Sequence, residues 1–112
     1  MKPQEHLPLT ETSFFILLSL AATPKHGYAI MKEVEAMSEA RVMLATGTLY
    51  SALRRMLEDG WIERLEGNPV IAGRERKLYQ LTEYGRHILQ AEIERLGKLI
   101  NLPQLKDARA QR

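Results

Sequence analysis

Cysteine is absent from the 112 residues. That excludes disulfide frameworks, thiolate metal sites and cysteine nucleophiles, and it fits a reducing compartment. Histidine is scarce: His6, His26 and His87 stand apart and match no metal-ligand spacing. Glycine never gathers into a phosphate-cradling loop, because Gly27, Gly47, Gly60 and Gly67 each stand alone at a structural boundary. The acidic pairs Glu33/Glu35 and Glu58/Asp59 read as solvated helix positions. No metal, cofactor or catalysis is expected. The formal net charge is only +2, so a nucleic-acid partner would have to be met by local basic clusters. Long apolar runs are missing as well. Phe14 to Ala22 falls far short of the roughly 20 residues that span a bilayer. Glu5 and Glu11 precede it, where a signal peptide carries basic residues. The expectation is a soluble, cytoplasmic protein with no membrane contact. A chain of this length buries roughly two-thirds of its unfolded surface, enough for one core.

What is present is a succession of amphipathic segments. Pro3 and Pro8 mark residues 1–9 as an extended, flexible arm. Thr10 caps a first helix running to about Ala22, with Glu11 in its first turn. Phe14, Phe15, Ile16, Leu17, Leu18 and Leu20 leave this helix almost no polar face, so it must be covered on several sides. That cover is the chain's own core, a second subunit against Phe14, Phe15 and Leu18, or both. Thr23-Pro24 ends the helix. His26-Gly27 opens a second one to about Met37 or Ser38, with Ile30, Val34 and Met37 on one face. Val42, Met43 and Leu44 form a short strand.

Thr46 is the expected N-cap of a third helix. Leu49, Ala52, Leu53, Met56 and Leu57 give it a buried stripe. The opposite side carries Gly47, Ser51, Arg54, Arg55 and Glu58, flanked by Thr48 and Tyr50. Gly60 ends it in left-handed geometry. A strand follows over residues 61–66, then a loop opened by Gly67-Asn68-Pro69, then a return strand from Arg76 to Leu81. Thr82 begins a last helix that reaches Asn101, with Gly85 a weak spot in its first turn, and residues 106–112 are a frayed polar tail.

A polar-faced helix followed by a basic hairpin, Gly73-Arg-Glu-Arg-Lys-Leu-Tyr79, predicts an α+β fold, mainly α with a small β-hairpin. It is a winged helix-turn-helix over residues 10–81 with a C-terminal dimerisation helix over residues 82–105. An α-helix fits the major groove of B-DNA. The candidate groove-facing residues are Thr46, Thr48, Ser51, Arg54 and Arg55, with Tyr50 placed for a phosphate contact or for packing. Tyr28 and Lys32 begin the second helix, which commonly crosses the DNA backbone, although Tyr28 also suits plain packing. Arg74, Arg76 and Lys77 of the hairpin are candidate phosphate ligands or a solvated charge cluster paired with Glu75 or Glu66. Leu89, Ile93, Leu96 and Ile100 form a coiled-coil-like seam that docks on its own domain or pairs with a second copy. A homodimer on a palindromic operator is expected.

Three runs resemble the PadR family of bacterial transcriptional regulators: His26-Gly27-Tyr28, Gly47-Thr48-Leu49-Tyr50, and Arg76 through Gly85. The resemblance covers roughly residues 10–85, and it departs from the family at Thr46, Ser51 and Glu75, where proline is common. It implies a dimeric repressor of double-stranded DNA, of the short form with a single C-terminal helix. It also implies response to a small aromatic effector, which Phe14, Phe15, Leu89, Ile93 and Leu96 could enclose. The alternative is a winged-helix protein-interaction module that does not bind DNA.

Overall fold

Thr10 does cap the first helix: its hydroxyl oxygen accepts from the Ser13 N–H at 3.1 Å. The structure is a computed structural model that describes residues 2–65 and 77–110. Helix α1 spans Glu11–Ser19 and stops short of the expected Ala22. The Ser19 hydroxyl donates back to the Ile16 carbonyl at 2.7 Å, and the Lys25 ammonium takes the Ser19 carbonyl at 2.6 Å. That carbonyl is then committed away from the next turn. Strand β1 is Lys25–His26 and leads directly into α2, Gly27–Met37. Ser38, Glu39 and Ala40 turn the chain, the last two with positive φ of 54° and 65°. Helix α3 runs Thr46–Glu58 and ends before Gly60, whose φ is +77°. Strands β2 (Ile62–Leu65) and β3 (Leu78–Leu81) precede α4, Glu83–Ile100, and α5, Gln104–Ala110.

The sheet is antiparallel in the order β1-β3-β2. Ile62 pairs with Leu81 and Leu65 with Leu78 on one side of β3, and His26 pairs with Leu78 on the other. The expected strand at Val42–Leu44 is corrected: these residues are not a strand, and the third strand is Lys25–His26. His26 is already extended as the residue before α2, so it fits the free edge of β3. Val42 is instead tied to the α2 end, its N–H bonding the Ser38 hydroxyl at 3.0 Å.

The core gathers Ile16, Leu17 and Leu20 from the first helix and its end, Ile30 and Val34 from α2, and Leu49, Leu53 and Met56 from α3. Ile62, Tyr79 and Leu81 of the sheet and Ile88 and Leu89 of α4 complete it. Each large side chain so buried contributes about 1.5–3 kcal/mol. Helix α1 buries Ile16, Leu17 and Ser19, and Phe14, Phe15 and Leu18 pack half-buried against the same core.

Two expectations for the ends are corrected. The N-terminal segment is not an extended arm: Pro3–His6 form a 3-10 turn. His6 Nε2 lies 2.6 Å from the Tyr84 hydroxyl, and its ring meets Trp61 edge-on at 5.1 Å. Further on, the Leu9 N–H donates to Glu92 Oε2 at 3.0 Å. The tail is not frayed coil over its described part, because Gln104–Ala110 is helical. Helix formers such as Leu105, Lys106 and Ala108 follow Pro103, which opens a helix as readily as it closes one.

Glu92 is buried, and Arg95 Nε reaches its other oxygen at 2.5 Å. The guanidinium holds the Glu92 carboxyl below its ordinary value, with the Leu9 N–H adding to the effect and burial opposing it. The stabilisation is therefore present above the unfolded pKa of about 4.3 and is lost as pH falls through the lower, folded value. Glu92→Gln is expected to melt below wild type at neutral pH, with the gap closing as pH drops from 6 towards 3. A gap independent of pH in thermal melts would rule out the carboxylate as its source.

Candidate nucleic-acid interface

Helix α3 presents two unlike sides. Leu49, Leu53 and Met56 are buried, with Ala52 and Leu57 half-buried beside them. Gly47, Thr48, Ser51, Arg54, Arg55 and Glu58 are exposed. Among the described residues, Thr48, Ser51, Arg54 and Arg55 have no side-chain hydrogen bond or ion pair to another part of the chain. The expected cap is corrected: Ala45 occupies that position without a side-chain bond, and Thr46 is the first helical residue. The first N–H groups of α3 are thus left for an outside acceptor at the positive end of the helix dipole.

Tyr50 resolves between its two readings by geometry. It stays 42% exposed, yet its ring lies against Gly27, where a Cβ would stand 2.4 Å from the hydroxyl oxygen. Gly27 is therefore the backing that lets Tyr50 lie down on the start of α2. Sequence reasoning missed this role, because a glycine at a helix start reads as punctuation. Tyr50 also neighbours Tyr79, whose hydroxyl is pushed up chiefly by burial and further by Tyr50. Tyr28 is not a packing residue: it is 64% exposed, with the Lys32 ammonium 5.8 Å from its ring centre.

The β1–β3 pairing brings a second group to the same end of the molecule. His26 Nδ1 lies 3.2 Å from the Lys77 carbonyl oxygen, so Lys77 at the base of the hairpin stands next to the start of α2. Lys77 is exposed. Arg74, Arg76 and Glu75 lie outside the described residues. Beside α3, on the flank away from Tyr50, an open cleft of about 910 Å³ separates its outer face from the start of α1. Thr12 and Ser13 line its far wall, and no sequence signal singled them out.

The seam residues divide. Leu89 is only 3% exposed and belongs to the chain's own core, which corrects its placement at a dimer interface. It is one turn before Ile93, where α4 still runs over the sheet and α1. Ile93 and Ile100 are 47% and 72% exposed, Leu96 is half-buried, and Leu99, Leu102 and Leu105 extend the apolar surface. Among the described residues no helix is long and apolar enough to cross a membrane.

A family model, the transcriptional regulator PadR-like family, matches residues 16–91. The chain is 35% identical over 89 residues to an uncharacterized 37.1 kDa protein in transposon TN4556 of Streptomyces fradiae. That match covers 80% of this chain and 24% of the relative, so the chain spans about a quarter of its length. A solved PadR family transcription regulator from Clostridium difficile is similar at 27% identity and a TM-score of 0.67, over 82% of this chain and 96% of that one. Bacillus subtilis PadR in complex with operator DNA is similar in fold at 21% identity and a TM-score of 0.66, over 77% of this chain and 48% of that one.

Proposed function

The chain belongs to the transcriptional regulator PadR-like family, a family of regulators and not of enzymes, and from that premise we propose that it is a cytoplasmic, sequence-specific DNA-binding repressor acting as a homodimer on a palindromic operator. The observation that carries this reading is the division of α3 into a buried apolar stripe and an exposed polar face whose Thr48, Ser51, Arg54 and Arg55 have no side-chain partner among the described residues. Thr48, Ser51 and Arg54 meet base edges, and the uncapped start of the helix takes a phosphate. Tyr28, Lys32 and Lys77, gathered at one end by the β1–β3 pairing, follow the DNA backbone together with the 66–77 wing. Bacillus subtilis PadR, of the same fold, has been solved with operator DNA. Ile93, Leu96 and Ile100 pair two copies, with Phe14, Phe15 and Leu18 of α1 at the same interface, so that two α3 helices stand about one turn of DNA apart. A small aromatic effector bound between the copies, against Phe14, Phe15, Ile93 and Leu96, releases the DNA.

A labelled duplex from upstream of this protein's own gene, titrated by fluorescence anisotropy beside a scrambled duplex, tests the reading. The native duplex is expected to bind more tightly, and Arg54→Ala to lose about 1–3 kcal/mol on it, roughly 5- to 150-fold in affinity. Ser51→Ala is expected to lose less, in the same direction. A panel of flat aromatic compounds added to the complex checks for release. Absence of binding to any duplex at low salt would favour a protein-interaction module, because phosphate contacts produce a steep salt slope.

A further inference from the structure

We infer that the cleft between α3 and the start of α1 seats one sugar-phosphate ridge of the duplex, making Thr12 and Ser13 a further DNA contact beside α3, the start of α2 and the wing. This rests on the proposed reading and extends it to an element that the sequence did not implicate. The cleft is continuous with the reading face: Gly47, Thr48, Ser51 and Arg55 line it and are exposed on α3. An α-helix with its side chains is about 10–12 Å across, and the major groove is about 12 Å wide. A helix lying in the groove therefore has a phosphate ridge along each flank. One flank of α3 is occupied by Tyr50 and the start of α2, and the other opens into this cleft.

The cleft's chemistry suits that occupant at its α3 N-terminal end. The Thr12 and Ser13 hydroxyls have no described side-chain hydrogen bond, and Arg55 has no described ion pair. Glu11, the acid next to Thr12, is held by Arg41, whose guanidinium keeps its carboxyl below the ordinary value and offsets its charge. Asp59 is the one acid among the described lining residues, and it is eleven residues beyond Thr48, about 16 Å along the helix. The wall itself is held in place from behind, by the Leu9 N–H on Glu92 and by His6 against Tyr84.

The test uses substitutions whose structural and DNA effects run in opposite directions. Thr12 is in the first turn of α1, where an acid favours the helix and a base disfavours it. Thr12→Glu is thus expected to melt no lower than wild type, yet to weaken binding about tenfold on native and scrambled duplexes alike. Thr12→Lys is expected to tighten binding several-fold and to steepen the plot of log K against log salt by about 0.9 per bound monomer. Ser13→Ala, read in the same titration, is expected to weaken both duplexes equally. Wild-type binding with affinity and salt slope unmoved by either Thr12 variant would overturn the α1 contact and leave α3 reading intact. Failure of the wild type itself to bind would overturn both.

Discussion

Gly85→Ala is expected to destabilise the protein by about 3 kcal/mol or more. Gly85 is buried in the first turn of α4, and a Cβ there would stand 1.8 Å from the Trp61 carbonyl oxygen. The obstacle is backbone, so no side-chain rotation relieves it. The same few atoms also hold the helix start. The Thr82 hydroxyl oxygen accepts from the Gly85 N–H at 3.0 Å, its proton goes to the Gly60 carbonyl at 2.6 Å, and the Thr82 N–H donates to the Trp61 carbonyl at 3.1 Å. Moving α4 away from Trp61 strains this whole joint between α3, β2 and α4. For a chain of this size the loss corresponds to roughly 10–20 °C in melting temperature. Gly47→Ala is the matched control. Its Cβ meets nothing within 4 Å, so the usual helix preference for alanine applies and a gain of up to about 1 kcal/mol is expected. Thermal melts at one protein concentration read both. Equal effects at the two glycines would show that close approach to Trp61 is not what Gly85 serves.

Ile93→Glu combined with Ile100→Glu is expected to convert the proposed dimer to monomers and to lower operator affinity by two to four orders of magnitude. Ile93 and Ile100 are exposed on α4, with Leu96 between them and Leu99, Leu102 and Leu105 extending the patch. Large apolar side chains left exposed along one helix and its end point to an interaction site, and charges placed among them cannot be buried unpaired without a large cost. Because neither isoleucine belongs to the core, the monomer fold should persist, with an unchanged circular dichroism spectrum. The affinity loss follows from effective concentration: two linked half-site readers gain about 10²–10⁴ over one. Light scattering reads the mass and anisotropy reads the affinity. Retention of the wild-type mass would move the interface off this face. Monomers that bind the operator as tightly as wild type would remove the need for a paired reader.

Much of the local structure was legible in the residue pattern. Thr10 caps α1 as its hydroxyl and the following turn suggest, α4 starts from Thr82, Gly60 takes the left-handed turn, and the α3 stripe of Leu49, Leu53 and Met56 is buried opposite a polar face. These features follow from 3.6-residue periodicity and from backbone preferences that act within a few residues, so one segment carries the whole signal. The family motifs were legible for the same reason.

Other features depend on atoms far apart in the chain, and there pattern misleads. Gly85 reads as a defect in a helix until Trp61, twenty-four residues earlier, is laid against it. Residues 1–9 read as an arm until Tyr84 and Glu92 supply partners for His6 and Leu9. Val42–Leu44 has the composition of a strand, but an edge of β3 is available only to Lys25–His26. Thr46 has the chemistry of a cap, and Ala45 has the position. Leu89 and Ile93 share one seam by spacing, and packing of α4 on the core buries one and exposes the other. What periodicity determined is which side of each segment is apolar. What packing decided is which apolar side is already covered, which polar groups meet, and where a cleft remains open, because those are set by distances between segments that no single stretch of sequence contains.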